Sequence, residues 1–341
     1  MKYHMKNQRS VSLNLIKLIA CIMVIVVHVS ATNIDDITSS KWGVSNFYNS
    51  ISRICVPLFF MVSGALLIRE NTSFINFIKK RYYRVIPPVI IWSAIYYVYP
   101  MFYGYEQPRT IASLFNSPIS VHLWYLYAII GLYLLVPFLS MIYFKSTLSE
   151  RVLFLAIWFI GSSLFPTLNN TGASGISASL FGLNSLAGYI GYIFAGKLIY
   201  DLPYRKFYSE IIGLVIFITC SYLTFYLTKT YSYSSGKFNG VFYSYLSSLV
   251  VLSAFSLFYV TININIKSSF IASCLSAFSS CALGIYCLQS MMIKEVAYKL
   301  NVRATHDPAI IWIPIAVGVT FVSCFVICYI ASRIKVIRQI V

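Results

Sequence analysis

Three ionisable side chains lie inside apolar runs of this 341-residue chain, where a charge is costly and usually serves a function. Lys17 and His28 are eleven residues apart in the first run, and Arg53 lies in the second. Eleven residues of α-helix make three turns and a small remainder, which places Lys17 and His28 on one face, about 16 Å apart. An imidazole can take a proton from a hydroxyl or carry an acyl group, so this face is a candidate reactive surface.

The fourth apolar run begins with His122, Trp124 and Tyr125. If the first and third helices run outward and the second and fourth inward, then His28, Arg53 and His122 lie at one depth. We expect them to converge on an outward-facing cavity, with Trp124 and Tyr125 as an aromatic platform for a sugar ring. Two other interpretations stay open, namely packing histidines and an Arg53 that reaches outward to the lipid headgroups.

A basic segment at 79–84 precedes the third apolar run and contains Arg81 and Arg84. If the segment is helical, the two arginines share a face and can grip one phosphate-bearing ligand. Lys17 would then guide that ligand inward toward His28. The alternatives are topology-setting charges at 79–84, contacts with anionic lipids, and a Lys17 that reaches for the headgroups.

The composition predicts the elements that position these residues. Hydrophobic residues make up 59% of the chain and charged residues only 10%, against about 25% charged in soluble domains. The sequence therefore predicts an all-α membrane protein, a polytopic bundle of about ten transmembrane helices that forms a single domain over residues 1–341. We predict spans near 11–30, 47–68, 85–103, 121–143, 152–167, 180–199, 209–228, 240–261, 273–293 and 309–332.

The charge distribution predicts how the bundle is oriented. The chain has 26 Lys and Arg against 9 Asp and Glu, a balance that in a soluble protein would suggest nucleic acid as partner. With both termini in the cytoplasm, 17 cations fall inside and 7 outside, as the positive-inside rule requires. We therefore expect a multi-pass cell-membrane protein surrounded by lipid, with no nucleic-acid partner. The eight cysteines lie in apolar runs without metal-ligand spacing, so no metal site is predicted.

Five segments in a fixed order carry a resemblance to a known family. They are 13–17 followed by His28, 53–64, 81–84 followed by Pro87, 122–127 and 283–286. With these segments the chain resembles the acyltransferase-3 family of integral membrane acyltransferases, and the resemblance covers nearly the whole chain. That family O-acetylates bacterial surface glycans.

The resemblance implies an activity and assigns residues to it. It implies a bacterial cell-membrane enzyme that takes an acyl group, usually acetyl, from acyl-CoA (acetyl-CoA) at the cytoplasmic face. The acceptor would be a hydroxyl of a cell-surface or lipid-linked glycan. His28 matches the catalytic histidine of the family, and Arg81 and Arg84 match its acyl-CoA-binding arginines.

The chain departs from the family pattern at two places. Many relatives have Asp in the first segment, where this chain has Asn14 and Lys17, so a carboxylate partner for the polar face is missing. Relatives often have a histidine where this chain has Gln289, which forms hydrogen bonds but cannot exchange a proton near neutral pH.

The chemistry expected of these residues is attack of a hydroxyl on a thioester. His28 would act as base or as acyl carrier, and Arg53 would hold the acceptor or the developing oxyanion. Two functions of other classes remain open, namely an exporter or flippase of glycans or lipid-linked sugars and a non-catalytic binding module. An exporter would not need His28, and a binding module would tolerate loss of Arg81 and Arg84.

Overall fold

The computed structural model describes residues 2–70, 73–103, 117–171, 188–203, 207–335 and 337–340. In these ranges the backbone forms helices and turns and no strand. The α-helices are α1 (Lys2–Ser30), α2 (Trp42–Ser52), α3 (Cys55–Leu67), α4 (Phe74–Val98), α5 (Trp124–Lys145), α6 (Leu148–Phe159), α7 (Phe165–Asn170), α8 (Ile190–Asp201), α9 (Phe207–Ser235), α10 (Ser248–Ile262), α11 (Ser269–Ser280), α12 (Ala282–Lys299) and α13 (Ala309–Ala331).

Eight helical segments within the described ranges are long and apolar enough to cross a membrane. A ninth is formed by α11 and α12, which are bent by 63° where they meet. For the predicted span 180–199, residues 180–187 lie outside the described residues, and α8 begins at Ile190. The prediction of an all-α polytopic membrane bundle is confirmed. The eight segments are Gln8–Asn33, Trp42–Leu67, Phe74–Tyr103, Val121–Lys145, Leu148–Asn170, Tyr208–Ser235, Val241–Ile262 and Ala309–Ala331.

Helix ends differ from the predicted spans at three places. The span predicted at 47–68 is interrupted, because α2 ends at Ser52 and α3 starts at Cys55. Helix α9 continues to Ser235, beyond the predicted end at 228, and Tyr233 near its end packs against Trp42 with ring centroids 5.5 Å apart. Helix α4 starts at Phe74, which places the basic segment 79–84 inside it.

Helix α1 lies at the centre of the bundle. It packs against α2, α3, α10, α11, α12 and α13, and its apolar side chains, such as Ile16, Val24 and Ile25, are almost completely buried. Helices that face lipid instead carry exposed apolar stripes, as α9 does at Ile212 and Val215. Because other helices surround α1, a polar side chain on it contacts protein rather than lipid.

The contact between α3 and α8 depends on two glycines. A Cβ on Gly64 would overlap the backbone of Ile193, and a Cβ on Gly196 would overlap that of Met61. Small residues let transmembrane helices approach until their backbones touch, which strengthens packing where no hydrophobic effect acts between helices. The close contact fixes α3, which follows directly after Arg53.

Candidate active site

Two histidine rings meet near one end of α1. His28, on α1, and His122, in a 3-10 turn before α5, have ring centroids 6.2 Å apart and nearly perpendicular planes. His122 is buried, and both its ring nitrogens are occupied, by the Ser120 hydroxyl at 3.0 Å and the Cys287 carbonyl at 3.1 Å. Because a carbonyl oxygen only accepts, Nε2 of His122 carries the hydrogen and Nδ1 accepts from Ser120. His122 is therefore fixed in one tautomer.

His28 has a different environment. Its side chain is half-buried, and within the described ranges neither of its ring nitrogens has a hydrogen-bond partner. One nitrogen of a neutral imidazole is a proton acceptor. Of the two histidines, His28 therefore keeps a lone pair for a substrate, whereas His122 has used both nitrogens on the protein.

Arg53 lies at the break between α2 and α3. Its guanidinium carbon is 4.2 Å from the ring centroid of Tyr243 and 6.0 Å from that of Tyr245. The Tyr243 hydroxyl donates to Oδ1 of Asn46 at 2.5 Å, which fixes the ring beneath the cation. Of the predicted convergence, the structure brings His28 and His122 into contact. Arg53 is held by aromatic faces, one of which, Tyr245, stacks on Trp124 two residues after His122.

Trp124 and Tyr125 do not form one platform. Trp124 is half-buried and stacks on Tyr245 with ring centroids 5.6 Å apart. Tyr125 is buried and packs against Phe60, at 5.0 Å, and Tyr286, at 5.3 Å. The two neighbouring residues therefore line different spaces, Trp124 beside Arg53's tyrosines and Tyr125 in the interior of the bundle.

A cavity of about 220 Å³ lies between these rings and Lys17. The Lys17 Nζ donates to the Ser279 hydroxyl at 2.9 Å. The Tyr286 hydroxyl donates to the backbone carbonyl of His122, which links the cavity wall to the histidine pair. The cavity is lined by Lys17, Phe59, Val62, Ser63, Leu66, Tyr125, Ser279, Ala282, Leu283 and Tyr286.

Arg81 and Arg84 lie one turn apart on α4, as their spacing predicts for a helix. Arg81 is half-buried with its guanidinium carbon 5.6 Å from the Phe77 ring, and its Nε has no hydrogen-bond partner in the described part of the chain. Arg84 is exposed. Tyr133 on α5 packs against the same Phe77 ring, with ring centroids 6.4 Å apart.

Tyr96 on α4 is a further residue of this site, and the sequence did not predict it. Its hydroxyl donates to the Cys287 carbonyl at 2.7 Å and accepts from the Met291 amide at 3.2 Å, and its ring centroid is 4.8 Å from that of His122. The Cys287 carbonyl therefore accepts from both Tyr96 and His122. Nothing in the spacing of the third apolar run separates this tyrosine from its neighbours Tyr97 and Tyr99, because its partner lies 191 residues later.

Gln289, which stands where relatives often have histidine, is completely buried, and neither its amide oxygen nor its nitrogen has a partner among the described residues. The Cys21 thiol lies 3.7 Å from the Ala282 carbonyl, which aligns α1 with α12 at that level. His28 and Gln289 each follow seven residues later, two helical turns on. Gln289 is therefore placed near the depth of His28.

These features define a class, an integral membrane protein of packed helices with an imidazole that is unpartnered among the described residues, an internal cavity lined by Lys17, and an arginine pair on α4. The chain belongs to the acyltransferase-3 family, whose model, described as an acyltransferase domain, matches residues 10–331. No curated protein and no solved structure matches the chain. The protein is thus a multi-pass membrane acyltransferase.

Proposed function

We propose that the protein transfers an acetyl group from acetyl-CoA to a hydroxyl of a cell-surface or lipid-linked glycan. The observation that supports this most is the imidazole of His28, which has no hydrogen-bond partner among the described residues. It packs beside His122, whose carbonyl accepts from Tyr286 in the wall of the Lys17 cavity. We call the surroundings of His28, Arg53 and His122 the reaction end, and those of Lys17, Arg81 and Arg84 the donor end.

The donor end offers cations for the phosphates of coenzyme A. Arginine pairs bind phosphate oxygens bidentately, and Arg81 has an unused Nε–H within the described part of the chain. In the cavity, Lys17 would hold the donor near its inner wall. The cavity would take the thioester arm, because its remaining walls are largely apolar and aromatic.

At the reaction end His28 would act as general base. It accepts the proton of the glycan hydroxyl as the hydroxyl oxygen attacks the thioester carbonyl carbon, and the carbon–sulfur bond then breaks. The thiolate of coenzyme A leaves with the proton that His28 returns. Arg53 would stabilise the negative oxygen of the tetrahedral intermediate or hold the acceptor.

A second route keeps the same residues and changes their order. His28 would attack the thioester first and carry the acetyl group to the glycan hydroxyl. Both routes need His28 and both release one thiol for each ester formed.

The proposed orientation follows from the charges. The donor end faces the cytoplasm, where acyl-CoA is made, and the reaction end faces outward, as expected from the excess of Lys and Arg on cytoplasmic segments. Both termini would then be cytoplasmic, in a bacterial cell membrane.

The test is ester-linked acetate released by mild alkali from the surface glycans of cells that lack the gene. The cells are complemented with the wild type, with His28→Ala, or with His306→Ala as a control. His306 is a half-buried loop histidine whose ring packs against Trp312. We expect the wild type and His306→Ala to restore acetate and His28→Ala to restore none at equal membrane abundance.

Two outcomes would contradict the proposal. Full acetate with His28→Ala would remove His28 from the chemistry. Unchanged ester together with glycan that accumulates inside the cell would favour an exporter.

A further inference from the structure

A second cavity of about 220 Å³ opens near the reaction end, on the side of α10. It is far larger than the roughly 10–15 Å³ that one water needs, and smaller than the roughly 300–1,000 Å³ of sites for drug-sized ligands. The space therefore suits one small ring-sized unit. Its lining residues are Ser162, Pro166, Thr167, Asn170, Gly188, Val241, Ser244, Leu246 and Ser247.

The polar groups in this lining are hydroxyls and one amide. None of the described residues that line the cavity is charged, although the chain carries a net charge of +17. A phosphate or carboxylate would lack a counter-charge here, and a lipid tail would meet hydroxyls. A neutral unit with several hydroxyls matches the lining, because each hydroxyl both donates and accepts.

Ser247 supplies an observation that points to a ligand. It is 1% exposed, and its Oγ has no hydrogen-bond partner among the described residues. Ser247 is the N-cap of α10, where a serine side chain ordinarily accepts from the first turn, yet this one makes no such bond. A buried hydroxyl without a partner costs free energy unless a ligand or water binds it.

The opposite wall is an irregular helical segment. Residues Ile160–Leu164 form a π-helical turn between α6 and α7, and such turns often mark functional sites. Thr167 donates to the Ser163 carbonyl at 2.7 Å and accepts from the Ser248 amide at 3.2 Å. This hydroxyl ties the π-helical segment to the start of α10, which gives the cavity a fixed width.

The cavity adjoins the reaction end through aromatic residues. Its lining residues Gly188 and Leu246 are chain neighbours of Tyr189 and Tyr245, and both tyrosines pack on Trp124 with ring centroids 5.6 Å apart. Tyr245 also lies within 6.0 Å of the Arg53 guanidinium. A chain of sugar units that reaches His28 past Trp124 would therefore place a neighbouring unit near Ser247.

We propose that this second cavity binds an uncharged sugar unit of the acceptor glycan, adjacent to the unit that receives the acyl group. The proposal rests on the proposed acyl transfer to a glycan and adds a specificity site to it. The hydroxyls of Ser247 and Ser244 and the amide of Asn170 bind the sugar hydroxyls. The cavity then sets the preference for an acceptor of more than one unit.

The experiment uses the full-length protein in detergent and fragments of the surface glycan that carries ester in wild-type cells, cut to one or three units. We measure the kinetic constants for each fragment and the thiol release from acetyl-CoA without acceptor. We also measure equilibrium binding of the fragments in the absence of donor. The variants are Ser247→Val and Asn170→Leu. Asn170 is exposed, so this variant keeps the test valid if Ser247→Val folds poorly. The control is Thr230→Val, an exposed hydroxyl on α9.

We expect Ser247→Val to raise the KM and the Kd for the three-unit fragment up to about tenfold, the effect of one lost buried hydrogen bond. Asn170→Leu should raise both by a few-fold, because Asn170 is exposed. The kcat, the thiol release and the constants for the one-unit fragment should stay at wild-type values. The proposal would be overturned if the variants and the wild type had equal KM and Kd for the three-unit fragment. It would also be overturned if phosphate-bearing fragments bound more tightly than uncharged ones. Failure of the acyl transfer itself would appear separately, as wild-type protein that forms no ester with either fragment.

Discussion

The reaction end and the donor end differ in how their polar side chains are hydrogen-bonded and exposed. At the reaction end His28, the Arg53 Nε and the Gln289 amide have no hydrogen-bond partner among the described residues, but the neighbouring His122 is fixed by Ser120 and Cys287. Asn49 adds to this by donating to the Val27 carbonyl at 3.0 Å and the Ser30 hydroxyl at 2.9 Å, which fixes the end of α1 that carries His28. At the donor end Arg84 is exposed, and Arg81 Nε is unpartnered in the described ranges.

The difference teaches which property each end needs. A fixed geometry serves a chemical step, because a catalytic group must be held close to its productive position. Unused hydrogen-bond donors serve the binding of an anion, because the ligand then supplies partners that the protein lacks. Substitutions at the reaction end should therefore lower kcat, and substitutions at the donor end should raise the KM for the acyl donor.

The largest effect is expected for His28→Ala. Removing the base should lower the kcat of the purified protein by about 10²–10⁴-fold, the usual contribution of general acid–base catalysis. His28→Gln should be as inactive, because an amide cannot take the proton. The measurement is thiol release coupled to ester formation, with His306→Ala as control. Activity in His28→Gln close to that of the wild type would contradict a proton-transfer role.

The next largest effect is expected for Arg81→Ala and Arg84→Ala. Each should raise the KM for acetyl-CoA by about tenfold or more while kcat changes little, because a hydrogen bond to a charged group contributes about 1.5–3 kcal/mol. Lys80→Ala is the matched control, an exposed cation on the same helix. A fall in kcat at an unchanged KM would contradict the assignment of donor binding to one end and of the chemical step to the other.

His122 should show an intermediate effect, because it positions other groups. His122→Leu leaves the Cys287 carbonyl without one of its donors, and should lower both kcat and the melting temperature, with a loss in stability of about 1–3 kcal/mol. His122→Gln keeps an N–H near the position of Nε2 and should recover much of both. Equal activity of the two variants would show that the bond to Cys287 does not matter.

The smallest effect is expected for Lys17→Met. The methionine keeps the apolar stem and loses the cation beside the Ser279 hydroxyl, so the KM for the donor should rise only a few-fold. Ser279→Ala serves as the partner control and should change the KM less than Lys17→Met does. A large loss of kcat in Lys17→Met would place Lys17 in the chemical step instead.

Much of the bundle follows from the sequence, because apolar runs of sufficient length have few alternatives to membrane helices. The shared face of Lys17 and His28 follows likewise from helical periodicity. The break at Arg53 and the bend between α11 and α12 do not follow, since both stretches read as continuous apolar runs. At the first of these interruptions Arg53 contacts Tyr243, which lies far along the chain. Contacts of this kind cannot be read from the local sequence.

The candidate site was predictable in its residues and less so in its partners. His28, Arg53 and His122 could be placed at one depth from the direction of each helix. The separation of Trp124 from Tyr125 could not, because it is set by Tyr245 and Tyr286, more than a hundred residues later. The occupied state of His122 likewise depends on Cys287, which lies 165 residues later.

The shared carbonyl of Cys287 has a mechanical consequence. Tyr96 and His122 are both bound to this one oxygen, and Tyr96 belongs to α4, the helix that also carries Arg81 and Arg84. A shift or rotation of α4 would pull on the same atom that holds the imidazole in place. Helix α4 thus joins the arginines that would bind the donor's phosphates to the carbonyl that holds His122. We expect binding of the donor at one end to affect the position of the histidine pair at the other.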